Sequence, residues 1–223
     1  LSYPIICKTT EMNIDDFNVK ASRWHGIDIK PFVSKKDHAI WLNVDGPEIQ
    51  EGEHLYSNDR EVDAIYNVMK LLSADESFKE YQQFITFYGP QKNKIGRKLY
   101  PHLQPKDWKE FEKHKYENEF GIPFRINTVD KFQGMEKNII IISTVRSHKQ
   151  IKIDSKGKSI NRTNHKLGFA KEHPRINVGF SRAKRLLIVI GDEKHFSVKE
   201  EYAAAIQKMH RVDLLQIQNL ITQ

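Results

Sequence analysis

Two short runs that are aliphatic almost throughout, Asn138-Ile-Ile-Ile-Ile-Ser143 and Leu186-Leu-Ile-Val-Ile-Gly191, constrain this chain more than any other feature. A short run of apolar residues without polar alternation belongs to a strand covered on both faces, as in the centre of a parallel α/β sheet. Each run follows a polar cluster. Thr128-Val-Asp-Lys-Phe-Gln-Gly-Met-Glu136 precedes the first, and Arg175-Ile-Asn-Val-Gly-Phe-Ser-Arg182-Ala-Lys184 precedes the second. Polar, glycine-bearing segments against buried strands are where an α/β fold places its ligand chemistry.

The rest of the chain fits that class. His38–Val44 predicts a strand ended by the turn signal Asp45-Gly46-Pro47. Ser57 or Asn58 caps a helix on which Val62, Ile65, Val68, Met69 and Leu72 recur at helical spacing. Gln83–Tyr88 reads as a strand, and Gly89-Pro90 opens a helix through Ile95 and Leu99. Pro101–Gly121 reads as helix plus connection, and Phe124–Thr128 and Asn138–Val145 as strands. Pro174 starts a helix to Lys184, Leu186–Ile190 is the last core strand, and Val198–Leu220 closes the chain as one or two helices. Strands alternating with helices predict a mostly parallel sheet covered by helices on both faces. Residues 1–37 have no sustained period and are expected to pack on a neighbouring domain, leaving 38–223 as the α/β unit.

Cys7 is the single cysteine, which excludes a disulfide framework and a cysteine-based zinc site. The ten histidines are dispersed without metal-ligand spacing, so no metal site is expected in this chain. No apolar run approaches the roughly 18 residues that span a membrane, and the expected location is intracellular. Charge is concentrated. Between Val145 and Arg185 stand twelve Lys/Arg against Asp154 and Glu172, out of 36 Lys/Arg and 29 Asp/Glu in the chain. Such a band is the usual footprint of a polyanion partner. Residues 146–171 are expected to form a long loop or hairpin, mobile without a ligand, that offers Lys149, Lys152, Lys156, Lys158, Arg162 and Lys166 to phosphates. Gly157-Lys158-Ser159 imitates a phosphate loop, but Lys152 stands where that loop needs its first glycine.

The two clusters, in order, type and setting, resemble the TVDxFQGxE and RxNVxxxRA motifs of superfamily 1 helicases, most closely the Upf-like branch and its bacterial relatives. Leu55–Glu61 resembles that family's SxNxxE element, with Asn58 and Glu61 at its Asn and Glu. Ile85–Gln91 resembles ITPYxxQ, with Phe87 in place of proline, Ser143–Ser147 resembles SxVR[SA], and Gly168-Phe169 resembles the GF pair before the arginine motif. The resemblance covers residues 38 to 195. It implies a RecA-like, P-loop-NTPase-type domain, the second of two, working with ATP and Mg²⁺. The phosphate loop and Mg²⁺ ligands would sit on the first RecA-like domain of the same protein, so this chain alone is expected to hydrolyse no ATP. The resemblance makes Arg182 the arginine finger and Arg175 the arginine that opens its motif, with Glu136 on the ribose and Gly134, Gln133 and Gln91 at the nucleotide. Thr86, Thr128, Ser143 and Arg146 fall where the family meets single-stranded DNA or RNA. The family's QYRMHP-type element is missing. The alternative is a non-catalytic nucleic-acid-binding or interaction module on a degenerate helicase-like fold.

Overall fold

The computed structural model describes residues 24–78, 84–103, 114, 116–122, 125–132 and 136–222. Six strands form the main sheet: β1 (Ala39–Asn43), β4 (Phe84–Thr86), β5 (Ile126–Thr128), β6 (Lys137–Ser143), β9 (Ala183–Gly191) and β10 (His210–Asp213). They lie in the order β10-β1-β9-β6-β4-β5, and every pairing is parallel.

The aliphatic runs hold the centre because both faces are buried. Ile139 and Ile141 of β6, with Leu186, Ile188 and Ile190 of β9, enter one core. Ile140 and Ile142, with Leu187 and Val189, enter the other. Period-two alternation therefore divides each run between two cores, and no position is left for a polar residue. The first core is closed by α1 (Asp59–Leu72), α2 (Gly89–Leu99) and Ile217 of α6 (Leu214–Thr222). The second is closed by Phe180 of α3 (His173–Ser181) and by Tyr202, Ala205 and Ile206 of α5 (Glu200–Lys208), with Phe196 of the short α4 (Glu193–Phe196). The chain is an α/β domain with a parallel central sheet flanked by helices, as in a RecA-like domain.

Two expectations change. Residues 24–37 pack on this domain's own core, with Ile27, Phe32 and Val33 fully buried beside α1 residues, while 1–23 lie outside the described residues. The segment after β9 is not purely helical: β10 interrupts it and pairs with β1, because His210–Asp213 extends along the open edge of that strand. Most of Pro101–Gly121 lies outside the described residues.

The basic band is also more ordered than a mobile loop. β7 (Lys149–Ile153) and β8 (Ser159–Thr163) form an antiparallel hairpin. β7 pairs in parallel with β2 (Glu48–Gln50), which pairs in turn with β3 (Tyr56–Ser57), making a second sheet in the order β3-β2-β7-β8. Asp154 closes the turn by accepting from the Lys156 and Lys158 amides at 2.9 and 2.8 Å, and Gly157 supplies a φ of 78°. A short hairpin gains stability from a third strand, and Glu48–Gln50 is that strand. Gly157-Lys158-Ser159 is thus a hairpin tip.

Candidate functional site

At the amino ends of the central strands, β6 and β9 begin side by side, Lys137 opposite Ala183. The Lys137 amide donates to the Arg182 carbonyl at 3.0 Å. Glu136 precedes β6, exposed, with its carboxylate 3.6 Å from Lys184 Nζ. Arg182 caps the C-terminus of α3, half-buried; its Nε is buried and unpartnered among the described residues. The fold therefore brings the two polar clusters together where they meet their strands. Gln133 and Gly134 lie outside the described residues.

Arg175 is differently placed. It lies in the first turn of α3, about 10 Å along the axis from Arg182. Asp130 takes its Nε at 2.8 Å and its Nη2 at 3.3 Å, and Glu172 takes Nη1 at 2.7 Å. These carboxylates, Asp130 first, hold its pKa above the ordinary arginine value. Asp130 belongs to the first cluster, so Arg175 ties α3 to the segment leading from β5 to β6.

The carboxyl ends of the strands hold polar networks that serve the interior. Asn58 caps α1 by accepting from the Glu61 amide at 3.2 Å, and donates to the Gly46 and Val145 carbonyls. Gln91 accepts from the Asn58 amide at 2.8 Å and donates to the Asn58 carbonyl and Ser143 Oγ. Ser143 and Thr144 donate through their hydroxyls to Glu61, whose two oxygens also take the Val145 amide at 3.0 and 2.9 Å. Val145 holds a φ of 71°, a conformation rare for a β-branched residue, and this grip sustains it. Thr86, Gln91 and Ser143 are fully buried, so in this chain alone they face the interior rather than a ligand. Thr128, at the end of β5 opposite Thr86, is half-buried.

Burial pushes the Glu61 carboxyl up to about 8, against donors from Ser143, Val145 and Thr144 that pull it down. An acid whose folded pKa exceeds its ordinary 4.5 binds a proton in the folded state that the unfolded state has already lost. Stability should then fall as pH rises through the window from about 4.5 to about 8, and level off above it. Urea denaturation at the two ends of that window should show a loss on the order of a few kcal/mol in the wild type. Glu61→Gln, near-isosteric and uncharged, should remove that slope, and an unchanged slope would assign it to another group.

Arg146 is the main departure from an exposed phosphate contact. It is 2% exposed, and its guanidinium donates to Glu48 from Nε at 2.7 Å and Nη2 at 3.1 Å, and to Tyr88 Oη from Nη1 at 3.3 Å. Its charge lies 4.0 Å from the Tyr56 ring centroid. Burial alone would lower its pKa, but Glu48 and Tyr88 outweigh it and raise it. Gly168 has to be glycine here: its φ is 56°, and a Cβ would sit 2.1 Å from Arg146 Nη1 and 2.5 Å from Tyr88 Oη. Glu48 further accepts from the Ser147 amide at 2.9 Å and from Asn164 at 3.2 Å, which pins both roots of the hairpin.

The hairpin's cations divide by face. Residues opposite one another on adjacent strands share a face. Tyr56, Gln50, Lys152 and Ile160 make one row, and Glu48, Gln150 and Arg162 the next on the same side. Lys149 falls on the other side, 2.6 Å from Asp45, an exposed pair worth little energetically. Lys156, Lys158 and Lys166 are exposed around the tip and the outgoing root.

Ligand atoms of Asp45, His148 and Asp192 lie within 4.8 Å of one another, a grouping that sequence spacing does not show. Its atoms have partners already. Asp45 has Lys149, and Asp192 accepts from Ser147 Oγ at 2.8 Å, from the His148 amide and ring, and from the His195 amide. Burial would raise the Asp192 carboxyl, but these donors outweigh it and hold it below the ordinary value. Asp192 also caps α4. Glu48, Asn164 and His148 carry no sequence signal, since each acquires its role from partners remote along the chain.

An AAA domain profile matches residues 10–194. An uncharacterized ATP-dependent helicase of Methanocaldococcus jannaschii is 28% identical over 79% of this chain and 22% of its own length. DNA polymerase alpha-associated DNA helicase A of Saccharomyces cerevisiae is 40% identical over 30% of this chain and 8% of its length. Helicase sen1 of Schizosaccharomyces pombe is 36% identical over 36% of this chain and 4% of its length. The chain thus spans less than a quarter of each of these relatives. No helix among the described residues is long and apolar enough to cross a membrane. A match over most of the chain, on a parallel α/β sheet with both polar clusters at its strand edges, means that the chain belongs to the AAA-domain family found in Upf-like superfamily 1 helicases.

Proposed function

We propose that the chain is the second motor domain of an ATP-dependent helicase, closing on ATP held by a first RecA-like domain and carrying part of the single-strand track. The observation that carries this reading is the meeting of Glu136 and Arg182 at the start of β6 and β9. Among the described residues Arg182 has no acidic partner and its buried Nε–H no acceptor, whereas Arg175 is doubly paired. An unpaired buried donor is costly unless a ligand supplies the acceptor. A γ-phosphate presented by the first domain, with its Mg²⁺, is an acceptor of that kind, and the charge developing on it is what a guanidinium stabilises. Glu136 is exposed and carboxylate-bearing at the same edge, suited to accept from ribose hydroxyls. Arg175 positions α3 by holding Asp130 and Glu172.

Nucleic-acid binding falls to the hairpin, whose cations are exposed on a rigid support. Such contacts are to phosphates, so they add affinity without sequence preference. Each one lost should reduce the slope of log affinity against log salt by roughly 0.7 for a single strand. Replacing Lys156, Lys158 and Lys166 together by alanine should flatten the slope by about two for oligo-deoxythymidine and oligo-uridine, without loss of thermal stability. A triple variant that binds with the wild-type slope would take the hairpin out of the track.

A further inference from the structure

The turn between β2 and β3 places His54, a residue without a role so far, at the open end of a column of rings. His54 lies against Phe169 with centroids 5.4 Å apart, Phe169 stacks on Tyr88 at 5.6 Å and 29°, and Tyr88 meets Tyr56 edge-on at 5.3 Å. The base is anchored: Tyr88 is buried, and its hydroxyl oxygen accepts from the Phe169 amide at 3.2 Å and from Arg146 Nη1 at 3.3 Å. The tip is open, with the His54 side chain 65% exposed and Leu55 48% exposed. His54 also holds a φ of 62°, a left-handed conformation costly for a residue with a Cβ and persistent where the surroundings impose it. The result is an aromatic face presented to solvent on a rigid support.

That tip adjoins the cationic face of the hairpin. Tyr56 shares its sheet face with Lys152 and Arg162, and Lys152 stands two strands away, about 10 Å. Glu51 and Glu53 flank His54 on the turn. They repel phosphate from the tip itself, so a polyanion running over Lys152 and Arg162 can extend only an uncharged part to the rings. We propose that the exposed His54 ring, backed by Phe169, is a stacking site for one base of a single strand whose phosphates follow Lys152 and Arg162. The site rests on the nucleic-acid reading above and adds to it a contact that is independent of charge. Every base has a π-face, so the contact is tolerant of sequence.

The test uses this chain with oligo-deoxythymidine or oligo-uridine strands carrying one 2-aminopurine. Asparagine accepts the left-handed backbone, so His54→Asn removes the ring at an exposed turn without adding strain. It should weaken binding about 5-fold or more, abolish the 2-aminopurine quenching, and leave the salt slope unchanged. His54→Phe should restore both affinity and quenching. Lys152→Ala with Arg162→Ala should instead flatten the slope by about 1.4. Unchanged affinity and quenching in His54→Asn, with the wild type still binding, overturn the stacking site and leave the nucleic-acid reading standing. A reduced slope in His54→Asn overturns it too, since the ring would then act through charge. A wild-type chain that binds neither strand overturns both.

Discussion

Arg182→Ala in the full-length protein is expected to slow ATP turnover by at least ~10³-fold while changing nucleotide affinity little. The expectation follows from where the residue stands. It caps α3 beside the first residue of β6, its backbone carbonyl held by the Lys137 amide at 3.0 Å, so the side chain leaves a fixed point. Its Nε has no partner among the described residues. A group that meets its acceptor chiefly as the phosphoryl group leaves contributes to the transition state and little to ground-state binding, so kcat and kcat/KM should fall together. Arg182→Lys should recover little, because an ammonium cannot reproduce the planar fork. Turnover within a few-fold of wild type would remove Arg182 from that role. Arg175→Ala gives a control at the same helix: its guanidinium is committed to Asp130 and Glu172, so its loss should act on the seating of α3.

The largest effect on stability is expected at Arg146, a residue that motif resemblance assigns to nucleic acid. Arg146→Met should cost about 3–5 kcal/mol, read as a shift of the urea midpoint, because it leaves the fully buried Glu48 carboxylate without its cation. The Ser147 amide, Gln150 and Asn164 still donate to Glu48, but they were arranged around an ion pair. Replacing both partners, Glu48→Gln with Arg146→Met, should recover a large part of the loss, since the penalty comes chiefly from the unpaired charge. A single variant as stable as wild type would mean that the pair is not buried in solution. Because Glu48 joins β2 to both roots of the hairpin, the single variant should also loosen the β7–β8 support and lower affinity for single strands.

How much of this was legible in the chain depends on the range of the interactions concerned. Periodicity and caps act within a few residues, so Asn58 at the start of α1, Asp192 at the start of α4 and the strands around Ile139–Ile142 and Leu186–Ile190 could all be read directly. The unbroken aliphatic runs also made the central sheet legible as parallel and doubly covered, because nothing polar could occupy either face. The hairpin was less legible. Lys149, Ile151 and Ile153 hint at a strand, but β7 is stabilised by Glu48–Gln50, about a hundred residues earlier.

By itself, then, the sequence determined the fold class, the pairing of the two polar clusters with the two buried strands, and the concentration of cations between them. Tertiary structure alone decided which of those polar residues face outward. Gln91, Ser143 and Arg146 look like ligand residues in the chain, yet each lies fully or almost fully buried against partners 33 to 98 residues away. Burial of a polar group is tolerated where every donor and acceptor is answered, and the answering groups converge only when the strands are in register. The same register brought Glu136 beside Arg182 and put Lys152 and Arg162 on the face of Tyr56.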